Sequence, residues 1–170
     1  MNHKAKLDQH KADFVGWAFG QAKRLRALPQ LNNAGLDVEN LAEEIEDLGR
    51  SEINKIHSLI RQALVHLIKI VADPESDARR HWQQEVGGFV IPVRRTWSPG
   101  YRQRVDMDEV WADACEEAGN ALAAYDVPLP ELPGTCPFSI DLFVEKGFDT
   151  AAAIEDLNRA VADLSPRHEG

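Results

Sequence analysis

Apolar residues recur at helical spacing through most of this chain, and most plainly between residues 37 and 72. There Val38, Leu41, Ile45, Leu48, Ile56, Leu59, Ile60, Ala63, Leu64 and Leu67 fall on one broad face at 3.6 residues per turn. Asp37 suits the N-cap, acidic residues fill the first turns where the helix dipole favours them, and Asp73-Pro74 supplies a stop. The spacing predicts a single helix over 37–72, roughly 50 Å long at 1.5 Å per residue. Other helices are expected to gather around it. Gly49 points into the stripe at a cost of about 1 kcal/mol relative to alanine, which predicts close approach by a second helix or a slight bend. Glu52 also falls inside the stripe, where a carboxylate demands a partner such as a buried arginine or a helix N-terminus.

The remaining segments are read in the same way. Residues 1–12 are polar and are expected to fray. A helix capped by Asp13 follows, with Phe14, Trp17, Ala18, Ala22, Leu25 and Leu28 inward and Pro29 as its stop. A short loop containing Asn32, Asn33 and Gly35 favours an antiparallel pairing with the long helix. After Pro74, a helix over 77–86 is anchored by Trp82, and Gly87-Gly88 with Pro92 predicts a break at the glycine pair. Ser98-Pro99-Gly100 marks a turn. From Asp106 the chain is helical again, with Val110, Trp111, Ala114, Cys115, Ala118, Leu122 and Tyr125 inward. Pro128, Pro130 and Pro133 forbid regular structure, so this stretch should lie extended across other helices. Ser139 is expected to cap a short helix carrying Ile140, Leu142 and Phe143. Asp149 or Thr150 opens the last helix, striped by Ile154, Leu157, Val161 and Leu164. The expected fold is all-α, an irregular helical bundle around one long central helix. Residues 13–148 are expected to form a single domain, and residues 149–170 a C-terminal helical extension packing on it.

Composition narrows the function classes. A chain of 170 residues with ordinary apolar content is ample for a hydrophobic core. The formal charge of −9 argues against a general nucleic-acid binder. Cys115 and Cys136 stand far apart in no ligand spacing, and no secretory leader opens the sequence. Together they point to a reducing, cytoplasmic setting. No apolar run approaches the roughly 20 residues needed to cross a bilayer.

Candidate chemistry is sparse. Glu44, Glu52, His66 and Lys69 meet the margin of the long apolar face and form a candidate polar site. Glu52 and His66 are about 21 Å apart along one helix axis, so a site at His66 must recruit partners from another segment. The plainer reading of His66 is a hydrogen-bonded, half-buried histidine; His57 should face solvent. Glu43, Glu44, Glu46 and Asp47 resemble a divalent-metal cluster, but Arg50 can pair with Glu46 and Asp47 across one turn, which favours a solvated charged face. Arg94, Arg95 and Arg102, beside Trp97 and Tyr101, are candidate anion-binding residues. The competing reading pairs these cations internally. Cys136, next to Pro137 with no adjacent histidine, reads as a packing cysteine. No cofactor, metal set or nucleophile motif stands out.

The segments DFVGW (13–17) and ENLAEEIEDLGRSE (39–52), followed by LVHLIKI, Pro74, Trp82, Ser98-Pro99 and GTCPF (134–138), resemble the bacterial proteins grouped as domain of unknown function family 29. The resemblance runs over about residues 13–145. It implies an all-helical fold and a bacterial origin; it implies no established activity, so it carries over no catalytic residue. EVGGFVIP departs from the family's arginine-rich, glycine-free helix at that point. The expected function is an interaction or regulatory module without catalysis, pairing with a protein partner or a second copy. Two alternatives stand beside it. One is a divalent-metal-dependent hydrolase of a phosphorylated small molecule; the other is a single-stranded nucleic-acid binder.

Overall fold

The computed structural model describes residues 3–28 and 35–164, with side chains from Asp8 onward. Pro29, Asn32 and Asn33 lie outside the described residues. The fold is all-α: among the described residues there are eight helices and no strand. The chain gathers into two compact units, Met1–Ile56 with Trp97–Val105, and His57–Thr96 with Asp106–Gly170. Helix α3, Val38–Ala72, runs unbroken for 35 residues and contributes to both.

In the first unit, α1 (His3–Ala12) packs on α2 (Phe14–Arg26). Residues 3–12 are therefore helical rather than frayed. His10 stands edge-on to Phe14 and Trp17, with ring centroids 5.3 and 4.4 Å away, and aromatic contact supplies what the polar sequence lacks. Asp13 caps α2, accepting from Gly16 N at 3.0 Å. Asp37 caps α3 through Asn40 N. Gly49 meets α2 directly: a methyl there would lie 2.9 Å from Phe19 Cε2 and 3.4 Å from Ala18 Cβ. The glycine thus admits a close helix crossing, as its inward position predicts.

That crossing corrects the predicted stripe. In the first half of α3 the buried positions are Val38, Ala42, Gly49, Ile53 and Ile56, while Leu41 and Leu48 are 45% and 56% exposed. Small residues at 42 and 49 let α2 approach, and the burial face turns toward them and away from the leucines. Leu28, expected inward on α2, is exposed as well.

In the second unit, residues 63–68 of α3 are buried consecutively, so apolar contact surrounds the helix on all sides there. Helix α4, Arg79–Thr96, continues straight through Gly87-Gly88 and Pro92, contrary to the expected break. Burial of Val86, Val90 and Val93 on one face offsets the propensity lost at these three positions. After α5 (Pro99–Arg102), Asp106 caps α6 (Met107–Ala123), accepting from the N–H groups of Asp108 and Glu109. Val110, Trp111, Ala114, Ala118 and Leu122 of α6 are buried, Cys115 is half-buried, and Tyr125 is 82% exposed instead of inward because the helix has already ended at Ala123.

The proline-rich stretch carries no helix. It is tied to α6 by Trp111 Nε1 donating to Pro133 O at 2.7 Å and by Cys136 N donating to Asp108 Oδ1 at 2.8 Å. Helix α7 is Asp141–Val144, with Ile140 at its N-cap and no side-chain cap, so Ser139 does not cap it as expected. Asp149 caps α8 (Thr150–Ala162) through Ala151 N. Both α7 and α8 pack on α4.

Candidate functional site

The candidate polar residues are distributed over both units. Glu44 and Glu52 belong to the first unit, His66 and Lys69 to the second. His66 is buried. Its Nδ1 lies 2.8 Å from Gln62 O and its Nε2 2.8 Å from Glu85 Oε2 on α4. A carbonyl and a carboxylate both accept only, so both bonds form when each ring nitrogen carries a proton. The same Glu85 oxygen lies 3.3 Å from His81 Nε2, and the His66 ring rests 5.5 Å from Phe89. Gln62, on the same margin, donates to Glu117 of α6 at 2.7 Å, and Arg61 Nε lies 3.1 Å from the other Glu117 oxygen as an ion pair. His57 is half-buried, not solvent-facing, and its Nε2 is buried without a hydrogen-bond partner among the described residues.

Lys69, one turn beyond His66, places its ammonium 4.3 Å from the centroid of the Trp82 ring. Burial against this apolar wall lowers the Lys69 pKa, and the nearby Glu85 carboxylate opposes the shift only in part. Lys69 and Trp82 also line a cavity of about 370 Å³ with Asp73, Ser76, Leu122 and Tyr125. Its walls are largely apolar. Sequence reasoning placed Lys69 and Trp82 singly but missed Glu85, Asp73 and Tyr125 as their neighbours. The signal for Glu85 is its spacing of four residues from His81 on the helix predicted over 77–86.

In the first unit, Glu52 pairs with Lys55 on the next turn instead of with an arginine or a helix N-terminus. Glu44 is exposed. The acidic run behaves as a paired surface: Arg50 bonds Asp47 and Glu46, and Arg26 of α2 donates to Glu39 at 2.8 Å and Glu46 at 2.6 Å. The Arg26 hydrogen bond holds the Glu46 carboxyl below the usual range. An open cleft of about 520 Å³ here is lined by Lys23, Arg26, Arg104 and Glu46. Arg104 lies over the Phe19 ring at 4.3 Å and donates to Gly100 O at 2.8 Å.

The candidate anion-binding arginines fall in both units. Arg94 and Arg95 end α4 in the second unit, Arg102 lies on α5 in the first, and Arg95 and Arg102 are exposed. Tyr101 is buried and stacks on Trp97 with ring centroids 5.4 Å apart, which leaves no phenol face for a base. Among the described residues no group of three or more His, Cys, Asp or Glu side chains is placed to hold a metal ion. Among them, too, no helix is long and apolar enough to cross a membrane.

No curated protein matches this chain. A solved structure does: an alpha-helical protein of unknown function from Rhodospirillum rubrum ATCC 11170. It is 35% identical with a TM-score of 0.75, over 87% of this chain and 96% of that one. The family description "Domain of unknown function DUF29" matches residues 10–149. That match takes in the Asp13 cap, all of α3, the Lys69–Trp82 cavity and the Trp111-bound proline segment, and the chain belongs to the DUF29 family.

Proposed function

We propose that this protein is a helical interaction module, without a catalytic step of its own, that docks a basic amphipathic helix along the outward strip of α3. The exposure of Leu41 and Leu48 carries the reading. They lie two turns apart on one line of the helix, Ile45 between them is half-buried, and Leu36 nearby is 50% exposed. Fully burying one leucine is worth about 1.5–3 kcal/mol, so a line of them in water is a standing incentive to associate. Its spacing is that of anchor positions in helix-in-groove recognition.

Charge selects the partner. Along residues 37–55, Glu39, Glu46, Asp47 and Glu52 pair with Arg26, Arg50 and Lys55, while Glu43 and Glu44 make no ion pair among the described residues. Glu44 sits beside the leucine line, and a helix flanked by lysine or arginine matches this rim.

Fluorescence anisotropy with a labelled leucine/lysine amphipathic peptide tests the proposal, with a leucine/glutamate peptide as counterpart. The basic peptide should bind, weaken as salt rises, and lose affinity for the Leu48→Glu variant. That variant is more acidic, so unspecific attraction would strengthen instead. Equal binding of both peptides, or binding unaffected by Leu48→Glu, overturns the reading. A dimer in sedimentation that Leu48→Glu dissolves also overturns it, in favour of a second copy.

A further inference from the structure

The cavity beside Lys69 lies in the other unit, and nothing in the docking strip explains it. Its charged groups are oddly placed. Lys69 and Asp73 stand four residues apart on the last turns of α3, a spacing at which opposite charges ordinarily pair. They make no ion pair here. The Lys69 ammonium rests on Trp82 instead, and the Asp73 carboxylate, half-buried, has no hydrogen bond or ion pair among the described residues. Both nevertheless line the same cavity, along with the Ser76 hydroxyl. The rest of the wall is apolar or aromatic: Ala78, Trp82, Ala121, Leu122, Tyr125 and Val127.

We propose that this cavity binds a free α-amino acid with an apolar side chain, its carboxylate on Lys69, its ammonium on Asp73 and its side chain against Leu122 and Val127. The electrostatics exclude simpler ligands. A plain anion satisfies Lys69 but faces the Asp73 carboxylate; a plain cation does the reverse. A molecule carrying both charges one carbon apart satisfies each and leaves no group repelled, and the apolar wall then selects its side chain. The volume of about 370 Å³ is at the small end of ligand sites, as such a molecule requires. The desolvated Lys69 amine adds to the match, since an arriving carboxylate restores the partner that burial withholds.

Calorimetric titration of the full chain with L-leucine and L-phenylalanine tests this. The controls are 4-methylpentanoate, which lacks the ammonium, and 3-methylbutylamine, which lacks the carboxylate. One of the two amino acids should bind with one-to-one stoichiometry, and each single-charge analogue should bind about tenfold more weakly or worse. Lys69→Met and Asp73→Asn should each lower amino-acid affinity by a similar factor. The analogue series uses the unaltered protein, so it decides the matter even where a variant fails to fold. Absence of heat at several millimolar of either amino acid overturns the proposal. So does an analogue that binds as tightly as its parent.

Discussion

Ser98 Oγ donates a 2.7 Å hydrogen bond to Asp13 Oδ1, the same oxygen that accepts from Gly16 N and caps α2. One carboxylate therefore fixes the start of α2 and the entry to α5, residues far apart in the chain. Gly100 completes the junction: a methyl on it would overlap Asp13 Oδ1 and the backbone nitrogen of Gly16. Because part of that obstacle is backbone, no side chain can swing aside to relieve it.

Substitutions at this junction should therefore be costly. Asp13→Ala removes a cap, worth about 1 kcal/mol. It also strips the buried Ser98 hydroxyl of its charged acceptor, worth about 1.5–3 kcal/mol. Gly100→Ala should cost about 1–3 kcal/mol through overpacking alone. Urea titrations of the two variants check this. A Gly100→Ala midpoint equal to that of the parent would show that α5 does not sit against the first turn of α2.

The junction illustrates what was legible in the sequence. Asp13, Asp37, Asp106 and Asp149 were each readable as helix starts because capping is local chemistry, settled within three residues. The inward Gly49 was readable for a similar reason: a glycine in an apolar stripe has few explanations. Leu41 and Leu48 were misplaced because the apolar face was averaged over all of α3, while its first half buries a different side from its second. At Pro92 local propensity favours a break, and the buried valines that hold α4 down override it. The site was least legible. Lys69 reaches Trp82 and His66 reaches Glu85 across two helices, and no spacing within α3 names partners on α4.

The two cysteines should resist modification. Burial pushes the Cys115 thiol up to about 11 and the Cys136 thiol up to about 11. Thiolate is the reactive species, so at about pH 8 its population falls by roughly two orders of magnitude relative to a thiol of ordinary pKa. Labelling with a thiol-exchange reagent should be correspondingly slow in native protein and fast in denaturant. Equal rates in the two conditions would mean that the segment bonded to Asp108 and Trp111 lifts away from α6 in solution.

Tyr101 gives the first unit an alkaline weakness. Burial raises its phenol to about 12, with the Glu52 and Asp13 carboxylates adding to the shift. In the unfolded chain the phenol titrates near its ordinary value of about 10. Below that pH both states keep the proton, and Tyr101 contributes no pH dependence. Between about 10 and 12 the unfolded chain releases the proton while the folded one retains it, so the unfolded state binds fewer protons and stability falls as pH rises. Tyr101→Phe keeps the ring against Trp97 and removes the titrating group. Denaturation midpoints measured at about pH 9 and about pH 11 should drop more for the parent than for Tyr101→Phe. Parallel losses in the two proteins would show that the alkaline sensitivity does not come from Tyr101.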